Sequence, residues 1–198
     1  QRQMCIRDSL QELPGGLPAI VAPDGPDQVQ SALQASGATI ATWMADRAGI
    51  DAIADLGRLT DTNLPLAHVA TAVLMVARPE VEHLQPAARR MADLAEQGPR
   101  VGWILVGDRP HGPEEIQTTY GHPVVAVLPD DQRTARALTN GSMSARIMKS
   151  PLVRTATTVA TDLAAWLQPE PVANESADDT PTAVTDEVQP ALAGGDQR

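Results

Sequence analysis

The sequence predicts a doubly wound α/β domain with a mostly parallel sheet of about five strands, followed by a disordered carboxyl-terminal tail. Three observations carry this expectation. Short apolar runs alternate with helical patterns along the 198 residues. The apolar side chains are almost all Ala, Val, Leu and Ile, with no Phe, one Tyr and three Trp, which suits parallel strands under Ala-rich helices. After Gln168 the composition shifts to Pro, Glu, Ala, Asp and Thr without an aromatic residue, too little apolar surface to offset chain entropy.

Leu17 to Val21 is a short apolar run closed by Pro23-Asp24-Gly25-Pro26, a strand and then a turn. Asp27 to Ala35 reads as a helix ended by Gly37, with a second helical stretch from Thr39 to Ala48. Ile50 to Leu56 reads as a strand ending at Gly57, and Leu64 to Ala70 as a short helix. Ala72 to Ala77 is a continuous apolar run, too short for a helix and suited to a buried parallel strand.

Val81 to Gln97 carries Leu84, Ala88, Met91 and Leu94 at helical spacing and stops at Gly98-Pro99. Strands are expected over Val101 to Val106 and Val124 to Leu128, with a short helix, Pro113 to Tyr120, between them. Asp131 to Leu138 is helical and ends at Asn140-Gly141. The last helix runs from Pro151 to Leu167, with Pro at its start and Leu152, Ala156, Val159, Leu163 and Leu167 on one face.

Net charge is −10, and residues 169–198 hold seven acids against one Arg, a balance of −6. An acidic chain without a basic stripe argues against direct nucleic-acid binding by this segment and against docking on an anionic membrane. Cys5 is the single cysteine, so no internal disulfide forms and a cytoplasmic location is favoured. No apolar run approaches the ~18 to 20 residues of a membrane span, and no signal peptide is visible. Residues 1–9 differ in composition from the rest of the chain. They look like translated sequencing-adapter read-through, so the native domain is expected to span residues 10–168.

Three strand-end turns could carry chemistry, because α/β domains bind ligands at strand carboxyl ends. In Ile53-Ala54-Asp55-Leu56-Gly57 an acid ends an apolar run before a glycine. Such an Asp can hold Mg²⁺ through water while the Gly N–H approaches a phosphate; equally, Asp55 can cap a turn. Val127-Leu128-Pro129-Asp130-Asp131 can line a nucleotide base, or stop a strand and cap a helix at Asp130 or Asp131. Gly107-Asp108 can face a base, or form a solvated loop with a weak Arg109 contact.

A phosphate-binding loop needs glycines and a Lys followed by Ser or Thr. The single Lys, Lys149, precedes Ser150, but the residues ahead of it, Ser142 to Met148, contain no glycine. His68, His83, His111 and His122 have no helical metal-site spacing. Trp43, Trp103 and Trp166 read as packing residues.

Taken in order, five segments resemble the later half of MinD/ParA-like ATPases. They are Asp55-Leu56-Gly57-Arg58-Leu59, Val73 to Pro79, Gly102 to Gly107, Val127 to Asp131 and the closing helix. The nearest look is to the divergent group related to pilus-assembly proteins of the CpaE type. The resemblance spans about residues 17–167 and implies a SIMIBI-class P-loop fold that here lacks its phosphate-loop segment. ATP binding drives dimerisation or partner binding in that family, and hydrolysis reverses it.

The resemblance makes Asp55 the Walker B acid holding Mg²⁺ through water, Gly57 its γ-phosphate neighbour, and Pro129 and Asp130 the adenine wall. The family often reads the base with an Asn near Gly107 and Asp108, and none stands there. It also places the phosphate-loop strand between Ile50–Leu56 and Ala72–Ala77, leaving a gap here. The implied protein is a fragment of a nucleotide-dependent positioning or assembly switch, in chromosome partitioning, septum-site placement or pilus assembly. This chain alone is expected to be inactive. The alternative is a non-catalytic α/β interaction module, a degenerate ATPase or a receiver-like adaptor.

Overall fold

The computed structural model describes residues 10–13, 16–45 and 51–168. The first nine residues, Ile50 and the acidic tail lie outside these, so the expectations made of them do too.

The elements in chain order are β1 (Leu10–Leu13), β2 (Leu17–Ile20), α1 (Pro26–Ala45), α2 (Leu64–His68), β3 (Ala72–Ala77), α3 (Val81–Ala95), β4 (Arg100–Val106), α4 (Pro113–Tyr120), β5 (Val124–Leu128), α5 (Gln132–Thr139), α6 (Ala145–Met148) and α7 (Pro151–Trp166). The core sheet is three-stranded and parallel, in the order β3-β4-β5. Its apolar run Ala72–Ala77 lies against residues 100–105 without a break, and a register shift occurs between β4 and β5 at Trp103/Ile104.

The α/β class holds, with helices on both faces of the parallel sheet. On one face α3 and α4 bury Leu84, Met91, Leu94 and Ile116 in one cluster with Val101, Trp103 and Leu105 of β4. The 3.6-residue spacing of Leu84, Met91 and Leu94 aligns them on the buried side of α3. Trp103 is fully buried, its ring centroid 6.0 Å from that of Tyr120. On the other face α7 packs on β5, and Gly102 of β4 leaves little room there for a side chain. A Cβ there would meet Val125 Cγ2 at 2.7 Å, the Pro123 carbonyl at 3.3 Å and Trp166 Cζ2 at 3.5 Å.

Three expectations are corrected. The run Leu17–Val21 does form a strand, but it pairs antiparallel with the unexpected β1 and does not join the parallel sheet. Pairing it locally needs only the short turn closed by Gly16 N–H donating to the Leu13 carbonyl at 3.0 Å. The two helical stretches around Gly37 are one helix, α1, which packs on α2. A glycine inside a helix costs about 1 kcal/mol relative to Ala, too little to break a helix of 20 residues.

The third correction is the strand expected at Ile50–Leu56: its described part, residues 51–56, is not a strand. A strand obtains its backbone hydrogen bonds from a neighbour. Among the described residues β3 pairs only with β4, and nothing lies alongside Asp51–Leu56 to complete a ladder. Ile53 is accordingly 96% exposed. The five strands among the described residues thus divide as three parallel and two antiparallel.

Candidate functional site

Parallel strands deliver their carboxyl ends to one pole of the sheet, where ligands of α/β domains bind. Here that pole carries Arg78, Gly107-Asp108 and Pro129-Asp130. Gly107 sits at φ +86°, a left-handed conformation that favours glycine, and its N–H donates to the Leu128 carbonyl at 2.8 Å. This bond ties the end of β4 to the end of β5. Nothing lies within 4 Å of where a Gly107 Cβ would stand. Asp108 is exposed.

The two acids after β5 have separate tasks. Asp131 is the N-cap of α5: its Oδ1 accepts from the Thr134 N–H at 3.0 Å and its Oδ2 from the Thr134 hydroxyl at 2.6 Å. The Thr134 hydroxyl, and then its N–H, hold the Asp131 carboxyl below the ordinary carboxylate range. Asp130 instead pairs with Arg78, whose two guanidinium nitrogens donate to its carboxylate at 2.7 and 3.3 Å. The hydrogen bond and charge of Asp130 raise the Arg78 pKa further, so Arg78 stays charged. The position expected to line a base is thus occupied by an ion pair, and the sequence reading did not anticipate Arg78. Its place one residue past β3 was the only signal available.

Asp55 is exposed, and its carboxylate accepts from the Gly57 N–H at 3.0 Å. This is an Asx turn, with Gly57 at φ +57°. The turn is anchored from both sides, since Leu56 and Leu59 pack against the core cluster. Buried Asn63, at 6% exposure, closes the loop. Its Oδ1 accepts from the Thr60 N–H at 2.8 Å, and its Nδ2 donates to the carbonyls of Leu56 at 2.8 Å and Arg58 at 2.9 Å. Among the described residues no hydrogen bond or ion pair links Asp55 to Gly107, Asp108, Pro129 or Asp130. The candidate residues therefore fall into two groups, the Asp55–Gly57 turn and the strand-end pole.

Lys149 and Ser150 do not make a phosphate loop. Lys149 is the C-cap of α6, and the Ser150 hydroxyl accepts from the Val153 N–H at 3.3 Å as the N-cap of α7. They follow a helix, whereas a phosphate loop follows a strand. The described residues thus offer a carboxylate and a glycine turn but no cradle for a triphosphate. They do not fit ATP by themselves, and no catalytic step can be routed through them alone. Glu80, Glu82 and His83 have ligand atoms within 4.8 Å of one another, a grouping the sequence reading missed. They are closely spaced polar residues at the start of α3.

The parallel strands, with helices on both faces, define an α/β fold. No family model matches the sequence, and no curated protein matches it. Among solved structures the chain is similar to the cell division ATPase MinD of Pyrococcus furiosus. The TM-score is 0.62 at 18% identity, over 81% of this chain and 71% of that one. It is also similar to a ParA family ATPase from Chlorobium tepidum TLS, with a TM-score of 0.52 at 17% identity, over 80% of this chain and 67% of the other. The chain has a MinD/ParA-like fold.

Proposed function

We propose that this chain is part of a MinD/ParA-like ATPase, a nucleotide-dependent positioning or assembly switch. The observation that carries the proposal is the fold likeness to MinD over 81% of the chain, at a TM-score of 0.62. It is supported by the order of the elements: an acid-glycine turn precedes three parallel strands whose ends share one pole. On this reading Asp55 is the acid that holds Mg²⁺ through water, and Gly57 presents its N–H to the γ-phosphate. Gly107, Asp108, Pro129 and Asp130 border the base. The phosphate cradle and its Lys come from residues outside this sequence. Chromosome partitioning, septum-site placement and CpaE-type pilus assembly are the roles this reading admits. An ATP-dependent homodimer in the cytoplasm is the expected working form.

A second reading, a non-catalytic interaction module of the same fold, is favoured by one observation. The pole carries a closed Arg78–Asp130 pair where a base would sit.

The experiment is equilibrium binding of a fluorescent ATP analogue with Mg²⁺, on this chain and on the protein extended by whatever coding sequence precedes Leu10. The ATPase reading expects weak binding to this chain and tight binding to the extended protein, with Asp55→Asn abolishing hydrolysis. Tight Mg²⁺-dependent binding to this chain alone would overturn the incomplete-site reading. An extended protein without a Lys-Ser or Lys-Thr phosphate loop and without binding would leave the interaction module.

A further inference from the structure

We propose that Asn63 is a positioning residue for the Asp55–Gly57 turn, and that it makes the turn and helix α2 move as one unit. That the turn faces a nucleotide rests on the function proposed above; the coupling itself does not.

The argument begins with what Asn63 fails to do. It is the N-cap of α2, where Asn ordinarily accepts a hydrogen bond from the N–H of the second or third helical residue. The second helical residue is Pro65, which has no N–H. Asn63 makes no side-chain cap bond at all and sits at φ −101°, ψ −5°. Its carboxamide turns back instead and makes three hydrogen bonds to the preceding loop, at Leu56, Arg58 and Thr60.

Those bonds bracket Gly57. The Leu56 and Arg58 carbonyls lie on either side of it, and both are held by the same Nδ2. Besides the core packing of Leu56 and Leu59, the hydrogen bonds that reach the turn from outside it among the described residues are those of Asn63, and nothing lies within 4 Å of where a Gly57 Cβ would stand. The Thr60 carbonyl also accepts from the N–H groups of Asn63 and Leu64, at 3.2 and 3.0 Å, so loop and helix share backbone bonds as well. Ala67 seats α2 in the core, and α2 packs on α1. A displacement of the turn therefore reaches α2 through Asn63, and through α2 reaches α1.

The rival account is that Asn63 is merely a satisfied buried amide, whose loss loosens the whole domain evenly. Order parameters from NMR relaxation on the full chain separate the two. In the unaltered chain Gly57 should be as rigid as the strands, with S² near about 0.85. Asn63→Asp keeps the acceptor for Thr60 and loses both donors. It should release Gly57 to S² below about 0.6 while Thr60 and strands β3 to β5 stay rigid. Asn63→Ala should release Gly57 and Thr60 together.

A Gly57 that stays rigid in both variants, or a loss of order spread evenly over the strands, would overturn the proposal. If neither variant folds, native-state hydrogen exchange on the unaltered chain decides. The Thr60 amide, the Asn63 side-chain amide and the α2 amides should open in one step with a common denaturant dependence. Separate openings would refute the coupling. No arm of this test involves nucleotide, so it can fail or succeed independently of ATP binding.

Discussion

Arg78 and Asp130 face each other across the end of β4: the guanidinium one residue past β3 donates 2.7 and 3.3 Å hydrogen bonds to the carboxylate two residues past β5. The pair links the ends of β3 and β5, which flank β4 in the sheet. Both side chains are more than a third exposed, at 40% and 36%, so solvent and salt screen their attraction. Arg78→Ala should therefore change the denaturation midpoint little, and the difference should vanish at high salt. Its main effect should be local, seen as NMR shift changes at Asp130 and Gly107. A large loss of stability would show that the pair bears on the core.

Gly102 should tolerate no side chain. A Cβ 2.7 Å from Val125 Cγ2 and 3.3 Å from the Pro123 carbonyl forces Val125 or the backbone leading into β5 to shift. Gly102→Ala should cost about 1 to 3 kcal/mol, the usual range for overpacking. Adding Val125→Ala removes the offending methyl and should recover part of that loss. Urea denaturation of both variants is the check, and an additive double variant would show that the contact is not the cause.

Asp131 gives stability a defined acid limb. The Thr134 hydroxyl and N–H lower the folded pKa of this carboxyl below its ordinary value of 3.8. Its contribution is then complete above that ordinary value and disappears as the pH falls through the folded pKa. Thr134→Val removes the hydroxyl and should raise the Asp131 pKa toward the unfolded one, flattening this limb. A carboxyl-detected NMR titration reports the shift directly. An unchanged Asp131 pKa in that variant would assign the depression to another group.

The core has its centre of gravity on α3. Met91 is 0% exposed and belongs to the cluster containing Trp103 and Leu84. Met91→Ala should cost about 2 to 5 kcal/mol, as large-to-small core changes do. Thermal or urea unfolding measures it, and a cost below about 1 kcal/mol would mean that the cluster closes over the gap.

The parallel sheet was legible because its strands are continuous apolar runs with helical spacing between them. Ala72–Ala77, Pro113–Tyr120 and Val124–Leu128 fall where the sequence places them. What was not legible depends on partners distant in the chain. The run Asp51–Leu56 has strand composition but no neighbour to pair with among the described residues, and composition cannot report a neighbour. Asp130 and Asp131 look interchangeable in sequence. One is claimed by Arg78, 52 positions away, and the other by Thr134, three positions away. Only the second relationship obeys a local rule. Asn63 stands directly before α2, yet its side chain bonds back to Leu56, Arg58 and Thr60, which no local rule announces.

The Arg100 guanidinium is hydrogen-bonded to the carbonyls of Trp166 and Gln168, the latter at 3.1 Å. Arg100 opens β4, so the last described residue is pinned where the parallel strands begin, and Gly107 stands where they end. A strand of this length spans roughly 20 Å at about 3.3 Å per residue. A dye attached at Gln168 is thereby given a fixed root, remote from the strand-end turns. Such a label offers a vantage point for watching those turns without crowding them.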